Sequence, residues 1–248
     1  MLETLLLVAG AFVAALVSGT SGFGFAVVAT ALWSPLIEPQ RVTALALVLQ
    51  FVLNVVYLPF LWRDISLRRL APFALGAVVG VPLGAWALGV VPVTPLRLGI
   101  GLGLVAWSLW MMRRAHWPQL ALSPQAARAG ELAIGVAGGL LGGIAGLTGV
   151  IPALWLALRG GDVRINRGIV QGYILVTSAW SYFWVARSVG VDARTQHQLL
   201  WSLPFVVIGG LLGLRIFSKL DTARFNRVLL WMIGGCGMLL VVQVLLRS

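Results

Sequence analysis

Residues 18–24 read Ser-Gly-Thr-Ser-Gly-Phe-Gly and interrupt an otherwise apolar stretch from Leu5 to Ile37. Three glycines and three hydroxyl residues in seven positions are poor helix material. Lipid leaves room for little but helix, because every backbone N–H and C=O must find a partner within the protein. The stretch around the break is about 33 residues long, too long for one crossing and short for two. How it folds decides how many times the chain crosses the membrane.

The composition sets the class. The 248-residue chain is 60% hydrophobic and 10% charged, against about 25% charged residues in a soluble domain. Its mean hydropathy is +0.98. These values describe an all-α polytopic membrane protein. The net charge of +11 does not point to nucleic acid, because the basic residues sit in short loops between apolar runs, where orientation signals belong. The single cysteine, Cys236, lies in an apolar run and excludes an internal disulfide. His116 and His197 are far apart, so no metal-ligand spacing exists, and no cofactor is called for. The N-terminal Met-Leu-Glu-Thr lacks the basic start of a signal peptide, and the first apolar segment is expected to be retained.

Six clear spans are expected at about 43–62, 70–91, 96–112, 168–186, 199–217 and 228–246. Two odd segments remain, 5–37 and 131–158. The second is broken by a glycine-rich run from Gly138 to Gly149, after which only about nine residues precede Arg159. A helix that short covers roughly 14 Å, half the hydrocarbon core. Each odd segment is therefore a single kinked span or a hairpin that enters and leaves on one side. The Lys and Arg residues choose. With hairpins, 13 of the 18 fall on one side and 5 on the other; with single spans they divide 9 and 9. The positive-inside rule selects hairpins, with the basic side cytoplasmic and both termini outside. Short half-helices favour a re-entrant form. Trp33, Trp62, Trp117, Trp155, Trp184 and Trp201 then fall near span ends, as an aromatic belt would.

The two halves resemble each other. Gly19–Gly24 answers Gly143–Gly149, and Gly80–Trp86 answers Gly209–Arg215, each with a Gly-x-x-x-Gly. The expected units are a first repeat over 1–113, a cytoplasmic linker over 114–130 and a second repeat over 131–248. Three crossings per half, an odd number, invert the second repeat relative to the first. The two hairpin tips should then approach each other near mid-membrane, the architecture of secondary transporters with their site at the breaks. The Gly-rich break, the later Gly80-x-x-x-Gly84-Ala85 and the same order repeated after a basic linker resemble the sulfite exporter TauE/SafE family over essentially the whole chain. Family members commonly show a longer glycine run after the break than Gly22–Val28 or Gly146–Pro152 provide. The resemblance implies a secondary transporter of the bacterial inner membrane that moves small sulfur-containing anions such as sulfite or sulfonates.

The chemistry on offer is neutral. A helix N-terminus carries free N–H groups and about half a positive charge, a natural anion seat. Gly19, Thr20, Ser21, Gly22, Phe23 and Gly24 form one candidate anion-binding tip, and Gly143, Gly146, Thr148 and Gly149 the other. Close helix packing by small residues is the competing reading, and it is preferred for Gly76, Gly80, Gly84, Gly209 and Gly213. Gln50 and Asn54 share a helix face with Thr43 and Tyr57; Gln171, Ser178 and Tyr182 repeat the spacing in the second half. Gln50, Asn54, Gln171 and Ser178 are candidate pathway residues. All seven acids lie in loops or at span ends, and Arg41, Arg159, Arg164, Arg167 and Arg187 are expected at span or hairpin ends as well. No nucleophile, base or metal cluster points to an enzyme. The partners expected are a small anion and the lipid bilayer, with no nucleic acid; a homo-oligomer is compatible with the sequence. An anion channel of the same fold, or an importer of a related organic anion, remains an alternative.

Overall fold

The computed structural model describes residues 2–33, 36–37, 39–90, 93–113, 120–189, 193–219 and 222–245. Glu38, His116, Trp117, Asp192 and Asp221, with the side chains of Arg187 and Cys236, lie outside what is described. The described residues form ten α-helices: α1 (Leu2–Ser21), α2 (Phe25–Trp33), α3 (Pro39–Leu61), α4 (Leu67–Val90), α5 (Val93–Met112), α6 (Pro124–Ala145), α7 (Val150–Arg159), α8 (Val163–Val189), α9 (Ala193–Phe217) and α10 (Thr222–Leu245). Among the described residues, four stretches, Glu3–Ser21, Arg41–Leu61, Leu67–Ala87 and Thr195–Phe217, are long and apolar enough to cross a membrane. With its other apolar helices this makes the chain an all-α, multi-pass membrane protein. Helices α3, α4, α5, α8, α9 and α10 fall on the six expected spans.

Both odd segments are hairpins, but unequal ones. The arms are not two half-helices. Helices α1 and α6 have 20 and 22 residues, about 30 Å or more at 1.5 Å per residue and enough to cross the hydrocarbon core. Helices α2 and α7 have 9 and 10, about half a crossing. The short arm folds back along the long one. The Trp33 indole at the end of α2 donates to the Leu7 carbonyl near the start of α1 at 3.0 Å. At the end of α7, Leu158 O accepts from Leu120 N at 2.9 Å, and Arg159 donates to Leu120 O at 2.9 Å. Trp33 is 1% exposed, so it is a hairpin clasp and not part of an interfacial belt.

Local chemistry sets the helix starts. Ser123 caps α6 by accepting from Ala126 N, with Pro124 in the first turn, where proline costs no hydrogen bond. The helix therefore begins inside the 114–130 stretch. Asp162 caps α8, its Oδ1 accepting from Arg164 N at 2.7 Å and Ile165 N at 3.2 Å. That cap places Arg167 inside the helix instead of in a loop before it.

Helix α1 packs on α9, and α6 on α4; α3 packs on α8 and α9, α4 on α8, and α5 on α10. These pairings are unchanged when α1–α5 are exchanged with α6–α10. Glycine makes the two closest pairs possible. A Cβ built at Gly76 would stand 2.7 Å from Val136 N, and one at Gly143 2.6 Å from Val81 O. On the matching pair, a Cβ at Gly209 would stand 2.6 Å from Phe12 O and one at Gly213 2.7 Å from Gly19 Cα. Both pairs run parallel, since rising numbers on one helix meet rising numbers on the other. The core has two main clusters, one around each hairpin. Leu7, Ala11, Phe25, Trp33, Leu49 and Tyr57 belong to the first. Phe73, Leu147, Val150, Tyr173 and Ile174 belong to the second, and Phe23 and Val27 of the first hairpin are inserted into it. The breaks thus sit where the two cores join.

Candidate functional site

At the first break, Gly22 has φ +86° and Gly24 φ +93°. This left-handed backbone turns the chain from α1 into α2, and only glycine adopts it without strain. Helix α1 ends with Gly22 N donating to Ser18 O at 2.8 Å, and α2 begins with Val28 N donating to Gly24 O at 3.1 Å. The hydroxyls are turned inward. Thr20 donates to Leu16 O at 2.9 Å, and Ser21 contacts Val17 O at 2.9 Å and Phe23 O at 2.6 Å. Neither hydroxyl hydrogen is aimed at a ligand in this conformation. The anion-seeking groups of this tip are instead the backbone amides at the start of α2.

At the second break, Gly146 has φ +71° and ends α6, its N–H donating to Gly142 O at 2.9 Å. Helix α7 starts at Gly149 with no side-chain cap, so its first amides are not tied up by a capping side chain. Gln50 Nε2 of α3 donates to Thr148 Oγ1 at 3.0 Å. This bond joins the first half's polar stripe to the second half's break. The breaks also touch directly. A Cβ at Gly149 would stand 2.9 Å from Phe23 Cβ, and one at Gly146 3.3 Å from Ala26 Cβ.

Beyond Thr20 and Ser21, the expected site residues separate into four groups. Gly22, Phe23, Gly24, Gly146, Thr148, Gly149 and Gln50 come together where the breaks meet. Gly19 and Gly143 are packed against α9 and α4 backbone, so their faces are filled by neighbouring helices; Gly19 reaches the site only through its carbonyl. Ser178 is fully buried and donates back to Ile174 O at 2.6 Å, a bond within its own helix. Asn54 and Gln171 line one small pocket with Tyr57, Leu58, Leu61, Ile65, Gly172 and Leu175. Asn54 Nδ2 donates to Gln50 O at 2.7 Å, while Asn54 Oδ1 and both polar atoms of Gln171 are buried without a partner. Native proteins pair nearly all such groups, so each exception invites a ligand or water. The pocket volume is ≈ 10 Å³, room for about one water.

Arg167 was expected at a span end, and it lies near the start of α8, but it is buried against the first break. It is 2% exposed, its guanidinium donating to the carbonyls of Gly19 and, at 3.4 Å, Thr20. The plane lies over the Phe217 ring at 3.8 Å. A cation at the last turn of α1 faces the negative end of that helix dipole and occupies carbonyls that have no partner within the helix. Its Nε is buried and unpartnered. Its stem also explains Gly22, where a Cβ would stand 3.1 Å from Arg167 Cγ. The signal was present in the sequence: Arg167 precedes Gln171 by four residues and so shares its helix face. Its closeness to Arg164 and Asp162 disguised it as part of a loop.

Two short helices of 9 and 10 residues thus meet at their broken ends inside a multi-pass membrane protein. The sulfite exporter TauE/SafE family matches residues 6–240, nearly the whole chain, and the chain belongs to that family of membrane transporters. Searches of curated proteins and of solved structures returned no match.

Proposed function

We propose that this protein is a secondary transporter of the bacterial inner membrane that exports a small sulfur-containing oxyanion, sulfite or an organosulfonate, through a site between the two glycine-rich breaks. The observation that carries the reading is the meeting of the breaks: Gly149 against Phe23, Gly146 against Ala26, and Gln50 bonded to Thr148. Two sets of helix N-terminal amides then converge where a polar stripe ends, and such amides favour negative charge. The exchangeable helix pairings support two repeats, 1–113 and 131–248 joined by 114–130. Three crossings in each would invert the second repeat relative to the first, with both termini outside.

Sulfite is larger than the water-sized pocket, so loading it requires α3 and α8 to move apart at Asn54 and Gln171. That rearrangement is the expected carrier step, and it predicts saturable flux. The test is counterflow of radiolabelled sulfite in proteoliposomes. Wild type should concentrate label against a preloaded gradient, and Thr148→Val should transport several-fold more slowly with its folding intact. Label uptake no faster than in protein-free liposomes would sink the reading. Uptake that never saturates would favour a channel.

A further inference from the structure

We propose that Arg167, with Gln171 one turn further along α8, is the charged half of the anion site. The inference rests on the site reading above and deepens it by naming the group that reads the substrate's charge. A buried guanidinium costs several kcal/mol unless paired. Arg167 is 2% exposed, and among the described residues its partners are two neutral carbonyls and an aromatic ring. Carbonyls share the protons but leave the net charge uncancelled. Of the guanidinium's five N–H donors, the one on Nε is buried and unused. Gln171 lies four residues on, hence on the same face, and its amide is buried with both ends unused. Asn54 and Tyr57 of α3 line the same pocket as Gln171, and the Tyr57 hydroxyl lies beside Gly19, whose carbonyl Arg167 holds. Arg167, held against the first break, and Gln171, which lines the pocket between α3 and α8, thus set unmet donors and unmet charge along one face of α8. An oxyanion supplies what both lack: acceptor oxygens and a negative charge. The Nε–H and the Gln171 amide would each donate to one of its oxygens while the carbonyls of Gly19 and Thr20 keep Arg167 in place.

The test uses the purified full-length protein and two probes of nearly equal shape, methanesulfonate and the uncharged dimethyl sulfone. Wild type should be thermally stabilised by sulfite and methanesulfonate and not by the sulfone. Arg167→Gln should weaken anion binding by roughly tenfold or more, the size of one lost charge-assisted hydrogen bond, and should narrow the preference for anion over sulfone. Arg167→Lys should keep the preference with reduced affinity. Arg63→Gln, an exposed arginine stacked on Trp62, should change nothing. If Arg167→Gln folds and binds both probes as wild type does, the assignment is overturned while the site reading stands. If Arg167→Gln does not fold, Gln171→Leu decides: unchanged anion affinity in that variant overturns the proposal, and a clear loss supports it. Wild type blind to sulfite and methanesulfonate alike overturns the site reading and this inference with it.

Discussion

At the residue scale, a single left-handed glycine links the hairpin turn to the cation behind it. Gly22 holds φ +86° and leaves room for the Arg167 stem. Gly22→Ala should therefore cost about 1–2 kcal/mol in backbone strain, with a further loss from pushing Arg167 aside. A lowered midpoint in a thermal denaturation scan checks it. Lost flux in that variant alone would not identify an anion contact, because strain and displacement of Arg167 act first. Thr148→Val separates the two effects. It keeps the shape, removes the acceptor for Gln50 Nε2 and should cost about 1–3 kcal/mol through the donor left unsatisfied, while flux falls further than stability explains. The residue types at the breaks were legible in the sequence, since glycine and hydroxyl residues stand out in an apolar run. The directions of the side chains were not. Thr20, Ser21 and Ser178 bond their own helices, a local option that composition does not reveal. Arg167 was hidden for the opposite reason, its neighbours suggesting a loop until the Asp162 cap is seen to start α8 before it.

At the element scale, close backbone approach holds the two long hairpin arms to their partners. Helices α4 and α6 meet through Gly76, Gly80, Gly84, Gly135 and Gly143, and α1 and α9 through Gly19, Gly209 and Gly213. Without a hydrophobic drive between helices in lipid, such packing is a main source of association. Gly80→Leu should force α4 away from Val136 and Leu140, costing about 3 kcal/mol or more. The check is a fall in the yield of monodisperse protein on size-exclusion chromatography, whereas Gly103→Leu, with nothing within 4 Å of its built Cβ, should elute unchanged. Helices stand at all six stretches that hydropathy and length mark, and three of them, Arg41–Leu61, Leu67–Ala87 and Thr195–Phe217, are long and apolar enough to cross a membrane. The arms of the hairpins were only half legible. Their short halves follow from the glycine runs, but α6 reaches back to Pro124 because Ser123 caps it, and the less apolar turn from Gln125 to Ala129 reads as linker.

At the scale of the whole molecule, the main pairings of α1–α5 and α6–α10 interchange, yet the two halves are not chemically equal. Arg167 serves the first break from the second half, and Gln50 serves the second break from the first half. Each break is thus held by the opposite half of the chain, the linkage expected if one half rocks against the other around a central site. A carrier of net negative charge feels the membrane potential, about 2.3 kcal/mol per charge per 100 mV. Export should therefore accelerate in proteoliposomes when the substrate-side interior is made negative, and flux indifferent to the imposed potential would count against electrogenic export. The most direct measurement is a structure of the protein with selenite, an anomalous scatterer of sulfite's shape, soaked into crystals. A transport site between the breaks would place a selenium peak within hydrogen-bond distance of the break amides, Thr148 or the Arg167–Gln171 face. Selenite bound elsewhere, with the space between the breaks unchanged, would contradict it.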